Sequence, residues 1–130
     1  MPTAHFYLRA PTRGGLREQR QSVQAYYERV LARKGYLRGR EFIDGDGSGK
    51  RVFSDRRGGF DCGVALHCGD ALVISRLAVA FTSLRNFCRE WGTCQRRDIS
   101  LHVANLPADS STPRGFAWIK AAEKPPSERR

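Results

Sequence analysis

The sequence lacks any long apolar run, and it is poor in acidic residues. No stretch approaches the roughly 20 apolar residues of a membrane-spanning helix, and no secretory signal is present. We therefore expect a cytoplasmic protein with no membrane association. A chain of 130 residues is long enough for one domain with one core. We predict that domain over residues 1–124 and a frayed tail over 125–130, because Pro125 and Pro126 must end the last helix.

The shortage of acidic side chains leaves the chain strongly basic. Its 23 Lys and Arg residues outnumber its 13 Asp and Glu residues, which gives a net charge of +10. Residues 1–57 carry 13 basic and 6 acidic side chains, so the excess is concentrated there. Most of the basic residues are arginines, which suit bidentate contact with phosphate. DNA is therefore the predicted partner, with nucleoid association as its consequence, and an arginine-rich surface without such a role is the alternative.

Cysteine is also scarce, and its spacing does not favour a metal site. The four cysteines form two C-x5-C pairs, at Cys62 and Cys68 and at Cys88 and Cys94. Structural zinc sites favour two to four intervening residues. We therefore expect reduced, mostly buried thiols and no bound metal.

The glycine-rich segment 45–50 (GDGSGK) resembles a nucleotide-binding loop only superficially. It lacks the G-x4-G-K-[ST] spacing, and Arg51 follows the lysine. A calcium loop is excluded as well, because Asp55 stands where a glutamate would be needed. We predict no cofactor.

Hydrophobic patterning predicts alternating strands and helices. The central feature is the apolar run Ala71–Ile74, which opens a strand predicted over 71–76; a run that is apolar at every position is expected of a strand buried on both faces. Other predicted strands cover 5–10, 40–44 and 98–106, and predicted helices cover 16–34, 60–67 and 83–91, with a last one from 114; residues 107–113 read as a loop. This order predicts an α/β fold with a mostly parallel central sheet of four or five strands and helices on both faces.

Five short motifs in this order carry a resemblance to a known family. They are Tyr7–Thr12 for Tyr-x-Arg-Val-Ser-Thr, Asp44 with Ser48-Gly49 for Asp-x-x-x-Ser-Gly, Asp55-Arg56, Gly69–Ile74 for Gly-Asp-x-Leu-x-Val, and Asp109–Gly115 for Asp-x-Ser-Thr-x-x-Gly. Over residues 5–122 the sequence resembles the catalytic domain of the serine site-specific recombinases, the resolvase/invertase family. The resemblance implies a three-layer, Rossmann-like resolvase fold.

The sequence departs from this family where the chemistry resides. The resemblance implies a nucleophilic serine after the first strand, and Pro11 stands in its place. The family segment Leu-Asp-Arg-Leu-x-Arg-Ser, whose arginines bind the scissile phosphate, is matched by residues 77–83. There the aspartate is replaced by Ala78 and the two arginines by Val79 and Thr82. A glutamine expected in the first loop aligns with Gly15.

Three residues of the family's site remain, namely Arg9, Ser48 and Arg56. We expect them to form a remnant phosphate- or DNA-binding site, with Arg9 and Arg56 close together at the carboxyl edge of the sheet and facing residues 78–82. The alternative is a structural network in which these arginines pair with the carboxylates of Asp44, Asp46 or Asp55.

The resemblance and its departures together predict a pseudo-enzyme. We expect a catalytically inactive serine-recombinase domain, acting as a DNA-associated or oligomerising module of a recombination or mobile-element system. Its partners would be DNA, further copies of itself, or a recombinase in a hetero-oligomer. The alternative is an active recombinase with a displaced hydroxyl nucleophile at Thr12, next to Pro11.

Overall fold

The computed structural model describes residues 2–9, 13–45, 51–81, 84–105 and 108–109. Its strands are β1 (Thr3–Arg9), β2 (Leu37–Asp44), β3 (Ala71–Ile74), β4 (Ser100–Val103) and β5 (Ala108–Asp109). Its helices are α1 (Arg13–Tyr26), α2 (Arg57–Ala65), α3 (Leu77–Ala80) and α4 (Leu84–Arg96). Helices separate the first four strands, so the predicted α/β class is confirmed. The last predicted helix and the predicted tail lie outside the described residues.

The strands form one sheet in the order β2-β1-β3-β4-β5. All pairs among β1 to β4 are parallel, whereas β5 runs antiparallel to β4. The predicted, mostly parallel sheet is therefore confirmed. The loop predicted over 107–113 is wrong at Ala108 and Asp109, whose main chains pair with Val103 and His102. This short strand forms by pairing with β4, and the local sequence pattern does not predict it.

Two hydrophobic cores lie on opposite faces of the sheet. Alternate residues of β3 serve both: Ala71 and Val73 belong to the core that includes Val23 of α1, and Leu72 and Ile74 to the core that includes Trp91 of α4. All four β3 residues are fully buried. The continuous apolar run is thus explained by a central strand covered on both sides.

The first helix is longer and less regular than predicted. It begins at Arg13, and after Tyr26 it continues as a π-helical turn (Tyr27–Leu31) and a 3-10 turn (Ala32–Lys34). Gly35, the residue after the predicted end of this helix, follows with φ of +91°. This left-handed conformation is one that glycine adopts without steric cost. Here the chain turns into β2.

The remaining helices differ from prediction mainly at their ends. The second begins three residues early, at Arg57, and ends at Ala65. The helix predicted over 83–91 runs on to Arg96 and is preceded by the four-residue helix α3.

No helix in the described part of the chain is long and apolar enough to cross a lipid bilayer. Cys62 is buried in the core and Cys68 is exposed, and both are free thiols. Within the described residues, no three His, Cys, Asp or Glu side chains gather in a metal-binding group.

Candidate functional site

Two arginines meet at the carboxyl edge of the sheet. Arg9 is the last residue of β1, and its Nε donates a hydrogen bond to the carbonyl oxygen of Val79 at 3.2 Å. Arg56 precedes α2, and its Nη1 donates to the same oxygen at 2.8 Å. Val79 lies in the last turn of α3, where helical carbonyl groups lack intrahelical partners. A main-chain oxygen therefore stands between the two cations.

Arg56 is buried, with only 2% of its surface exposed. Its Nη1 also donates to the hydroxyl oxygen of Tyr7 at 3.2 Å, and its Nε donates to the carbonyl oxygen of Arg51 at 2.9 Å. The Tyr7 hydroxyl in turn donates to Oδ2 of Asp44 at 2.8 Å. The buried guanidinium is thus linked to a buried carboxylate through one hydroxyl group, as burial of a charge requires.

Asp44 joins this network to the start of α2. Its carboxylate accepts hydrogen bonds from the backbone N–H of Gly58 at 2.8 Å and of Gly59 at 3.0 Å. These N–H groups lie in the first turn of the helix, which has unpaired donors and a positive dipole end. Arg56, the residue at the N-cap, makes no side-chain cap. A carboxylate from the end of β2 therefore caps α2 from a distance.

Burial raises the pKa of Tyr7 well above its ordinary value of 10. The hydrogen bond from Arg56 acts against this shift, and the neighbouring carboxylate of Asp44 adds to it. A phenol of ordinary pKa is already protonated at neutral pH, and the raised pKa keeps Tyr7 protonated and a donor to Asp44 in alkaline solution as well.

Gln19 of α1 fixes the end of β1. Its Oε1 accepts from the backbone N–H of Arg9 at 3.0 Å, and its Nε2 donates to the carbonyl oxygen of Arg9. Gln19 is not among the site residues predicted from the sequence, in which Gly15 aligns with the family's glutamine. Nothing in the sequence separates Gln19 from the other polar residues of the same helix.

Residues 79–81, which lie opposite the arginines, pack inward. Val79 and Phe81 are each 5% exposed and belong to the hydrophobic core, where Phe81 contacts the rings of Phe53 and Trp91. Nearby, the Oγ of Ser75 is buried at the end of β3 and has no hydrogen-bond partner among the described residues. The side of this segment that meets the arginines is its main chain.

The structure thus brings together Arg9 and Arg56, together with Tyr7 and Asp44 as their connected neighbours. The sequence left Asp44, Asp46 and Asp55 open as carboxylates that could pair with the arginines. Asp44 is linked to Arg56, through the hydroxyl of Tyr7. Four other predicted positions, Pro11, Thr12, Ser48 and Thr82, lie outside the described residues, and Ala78 lies in α3. Binding of phosphate by Arg9, Ser48 and Arg56 stays a prediction.

A second set of arginines surrounds this network on the surface. Arg57 follows Arg56 in the chain, Arg51 accepts a hydrogen bond from Arg56 through its carbonyl oxygen, and Arg76 follows β3 at the same edge of the sheet; all three are exposed. None of them forms an ion pair with another residue in the described part of the chain. By contrast, Arg20 and Arg38 on the α1 side both pair with Glu41. The guanidinium groups at the carboxyl edge can therefore bind an external anion.

Known structures share this architecture, although no protein-family pattern and no curated protein matches the sequence. One is the N-terminal catalytic domain of TP901-1 integrase, with 17% identity and a TM-score of 0.67, covering 90% of this chain and 88% of that one. A second is a resolvase family site-specific recombinase from Streptococcus pneumoniae, with 16% identity, a TM-score of 0.65 and coverage of 94% and 85%.

A third similar structure is the C-terminal catalytic domain of ISC1926 TnpA, an IS607-like serine recombinase. It is 14% identical with a TM-score of 0.60, and the match covers 92% of this chain and 78% of that one. The chain therefore has the fold of serine recombinase catalytic domains, and the fold predicted from the five motifs is confirmed.

Proposed function

We propose that this chain is a non-catalytic, serine-recombinase-like domain that associates with DNA through backbone phosphates at the carboxyl edge of its sheet. The observation that carries the proposal is that the guanidinium groups of Arg9 and Arg56 are engaged within the chain itself. Both guanidinium groups donate to the chain's own Val79 carbonyl, and Arg56 is 2% exposed. A group held in this way stabilises the fold and is poorly placed to stabilise charge on a reacting phosphate.

The absent nucleophile supports the same proposal. The position that the resemblance assigns to the attacking serine is Pro11, which has no hydroxyl group. Without a nucleophile no covalent phosphoserine can form. The replacement of the two family arginines by Val79 and Thr82 also removes cations that would neutralise the transition state.

Cleavage is tested by trapping a covalent adduct. We expect none when the purified protein is incubated with supercoiled plasmid and quenched in detergent, because position 11 cannot attack a phosphodiester. Gel electrophoresis and mass spectrometry of the digested protein provide the measurement. The variant Pro11→Ser should also give no adduct, since Arg56 remains buried. A DNA-linked peptide containing Thr12 or Ser48 would show a displaced nucleophile and contradict the proposal.

DNA association is attributed to the exposed arginines of the carboxyl edge, chiefly Arg51 and Arg76. Phosphate contacts give affinity without sequence preference, and the affinity falls steeply as salt rises. The net charge of +10 supports this mode of binding.

The double variant Arg51→Glu/Arg76→Glu should bind a fluorescent DNA duplex about tenfold or more weakly at low salt, because two phosphate contacts become repulsions. Fluorescence anisotropy over a salt series measures this, and the log–log salt slope should become shallower by about 2. The matched control, Arg33→Glu/Lys34→Glu, changes the net charge by the same amount. Its two residues lie in the turn before Gly35, at the opposite edge of the sheet. Equal losses in the two variants would mean that net charge alone holds the DNA.

A further inference from the structure

An open groove separates α2 from α4, on the face of the sheet that carries the Trp91 core. Its volume is about 600 Å³, and it is open to solvent, unlike an enclosed cavity. Phe60 and Val64 of α2 form one wall, and Arg89, Glu90 and Arg97 contribute the other. The DNA-binding proposal uses none of these residues.

The α2 wall is unusually apolar for a surface. Phe60 is 58% exposed and Val64 is 66% exposed. They are four residues apart in one helix, so their side chains lie on the same face, one turn from each other. Gly63 also lines the groove, and an added Cβ there would have no atom within 4 Å. Two large apolar side chains and an adjacent gap form the kind of surface that an apolar helix face can fill.

The opposite wall is basic. Arg89 and Arg97 are exposed, and Arg97 is held in position because its Nη2 donates to the carbonyl oxygen of Leu66 at 2.8 Å. Among the described lining residues of this wall, two arginines face one carboxylate, Glu90, whose Oε1 accepts a hydrogen bond from the hydroxyl of Ser54 at 2.9 Å. The groove thus presents positive charge beside an apolar strip.

We infer that this groove binds an acidic amphipathic helix of a partner protein. Leucine-like side chains at helical spacing would cover Phe60 and Val64, and flanking carboxylates would meet Arg89 and Arg97. A second copy of the chain is disfavoured as the occupant, because each copy carries +10. A small ligand would remain largely exposed in an open groove, whereas a helix lies along it with its own backbone hydrogen bonds satisfied.

The probe is a fluorescein-labelled synthetic helix with leucines at i, i+3, i+4 and i+7 and glutamates elsewhere. A scrambled peptide of identical composition has the same charge but no apolar face. We expect the amphipathic probe to bind with a dissociation constant of about 10 μM, measured by fluorescence anisotropy, and the scrambled peptide to bind at least about tenfold more weakly. Equal binding of the two peptides would overturn the inference.

The double variant Phe60→Asn/Val64→Asn locates the apolar contact. Both side chains are exposed, so the fold should survive, which circular dichroism checks. Binding of the amphipathic probe should fall about tenfold or more. The matched control is Leu37→Asn/Ile43→Asn, which removes two other exposed apolar side chains, 50% and 44% exposed, on β2. This control should change the affinity less than about twofold, and a loss equal to that of the groove variant would contradict the site.

The variant Arg89→Glu tests the basic wall. It should weaken binding of the amphipathic probe at least about fivefold, whereas the same substitution at the exposed Arg17 of α1 should have little effect on that affinity. Analytical ultracentrifugation measures whether the chain and the variant Phe60→Asn/Val64→Asn are monomers or dimers. If the chain is a dimer that Phe60→Asn/Val64→Asn converts to a monomer, the occupant is a second copy and the inference fails.

Discussion

Replacing Arg56 by leucine should lower the free energy of unfolding by about 3 kcal/mol. The substitution removes the donor shared by the Tyr7 hydroxyl and the carbonyl oxygens of Val79 and Arg51. It also leaves the buried Asp44 carboxylate without the cation to which Tyr7 connects it. Breaking a buried charged network by removing one member is costly, because the other members have already lost their water.

Urea denaturation followed by circular dichroism measures this loss. The neighbouring Arg57 provides the control, since it is exposed and forms no ion pair within the described part of the chain. Arg57→Leu should change the unfolding free energy by less than about 0.5 kcal/mol. If Arg56→Leu is equally mild and instead abolishes DNA binding, Arg56 reaches phosphates directly and is not structural.

Much of the fold could be predicted because it depends on local hydrophobic pattern. The apolar run Ala71–Ile74 became the central strand β3, paired with β1 on one side and β4 on the other. In the helix predicted over 16–34, Val23 and Tyr26 stand three residues apart, and both belong to the core between this helix and the sheet. Such patterns state which face is buried, and that is sufficient to order the layers.

The start of α2 could not be predicted for a physical reason. No residue immediately before the helix caps it, and Gly58 and Gly59 read as a loop in the sequence. Their N–H groups are satisfied by Asp44, which lies 14 and 15 residues earlier in the chain. A cap supplied by another element is created by tertiary packing and leaves no local signal.

The candidate site was predicted in part. Two of the five motifs contain Arg9 and Arg56, and the structure brings these two side chains to one oxygen atom. The oxygen belongs to the main chain of Val79, which the sequence identifies only as the replacement of a family arginine. Because every residue has a carbonyl group, sequence alone cannot identify the one that will accept a buried guanidinium.

Among glycine-to-alanine substitutions in α2, Gly59→Ala should be the most destabilising. It should lower the free energy of unfolding by about 3 kcal/mol or more. A Cβ at position 59 would overlap the carbonyl oxygen of Phe53. That atom is main chain, so no side-chain rotation relieves the overlap. Moving the helix away would stretch the bonds from Gly58 and Gly59 to Asp44, and through Tyr7 it would disturb Arg56. One methyl group therefore acts on the whole site.

The control for this prediction lies one turn further along the same helix. A Cβ at Gly63 would have no atom within 4 Å, so Gly63→Ala adds only helix propensity. It should raise the unfolding free energy by about 0.5–1 kcal/mol, since alanine loses less backbone entropy than glycine on folding. Urea denaturation of both variants measures the contrast. If Gly59→Ala is as stable as Gly63→Ala, then α2 does not pack closely on Phe53, and the cap from Asp44 does not determine its position.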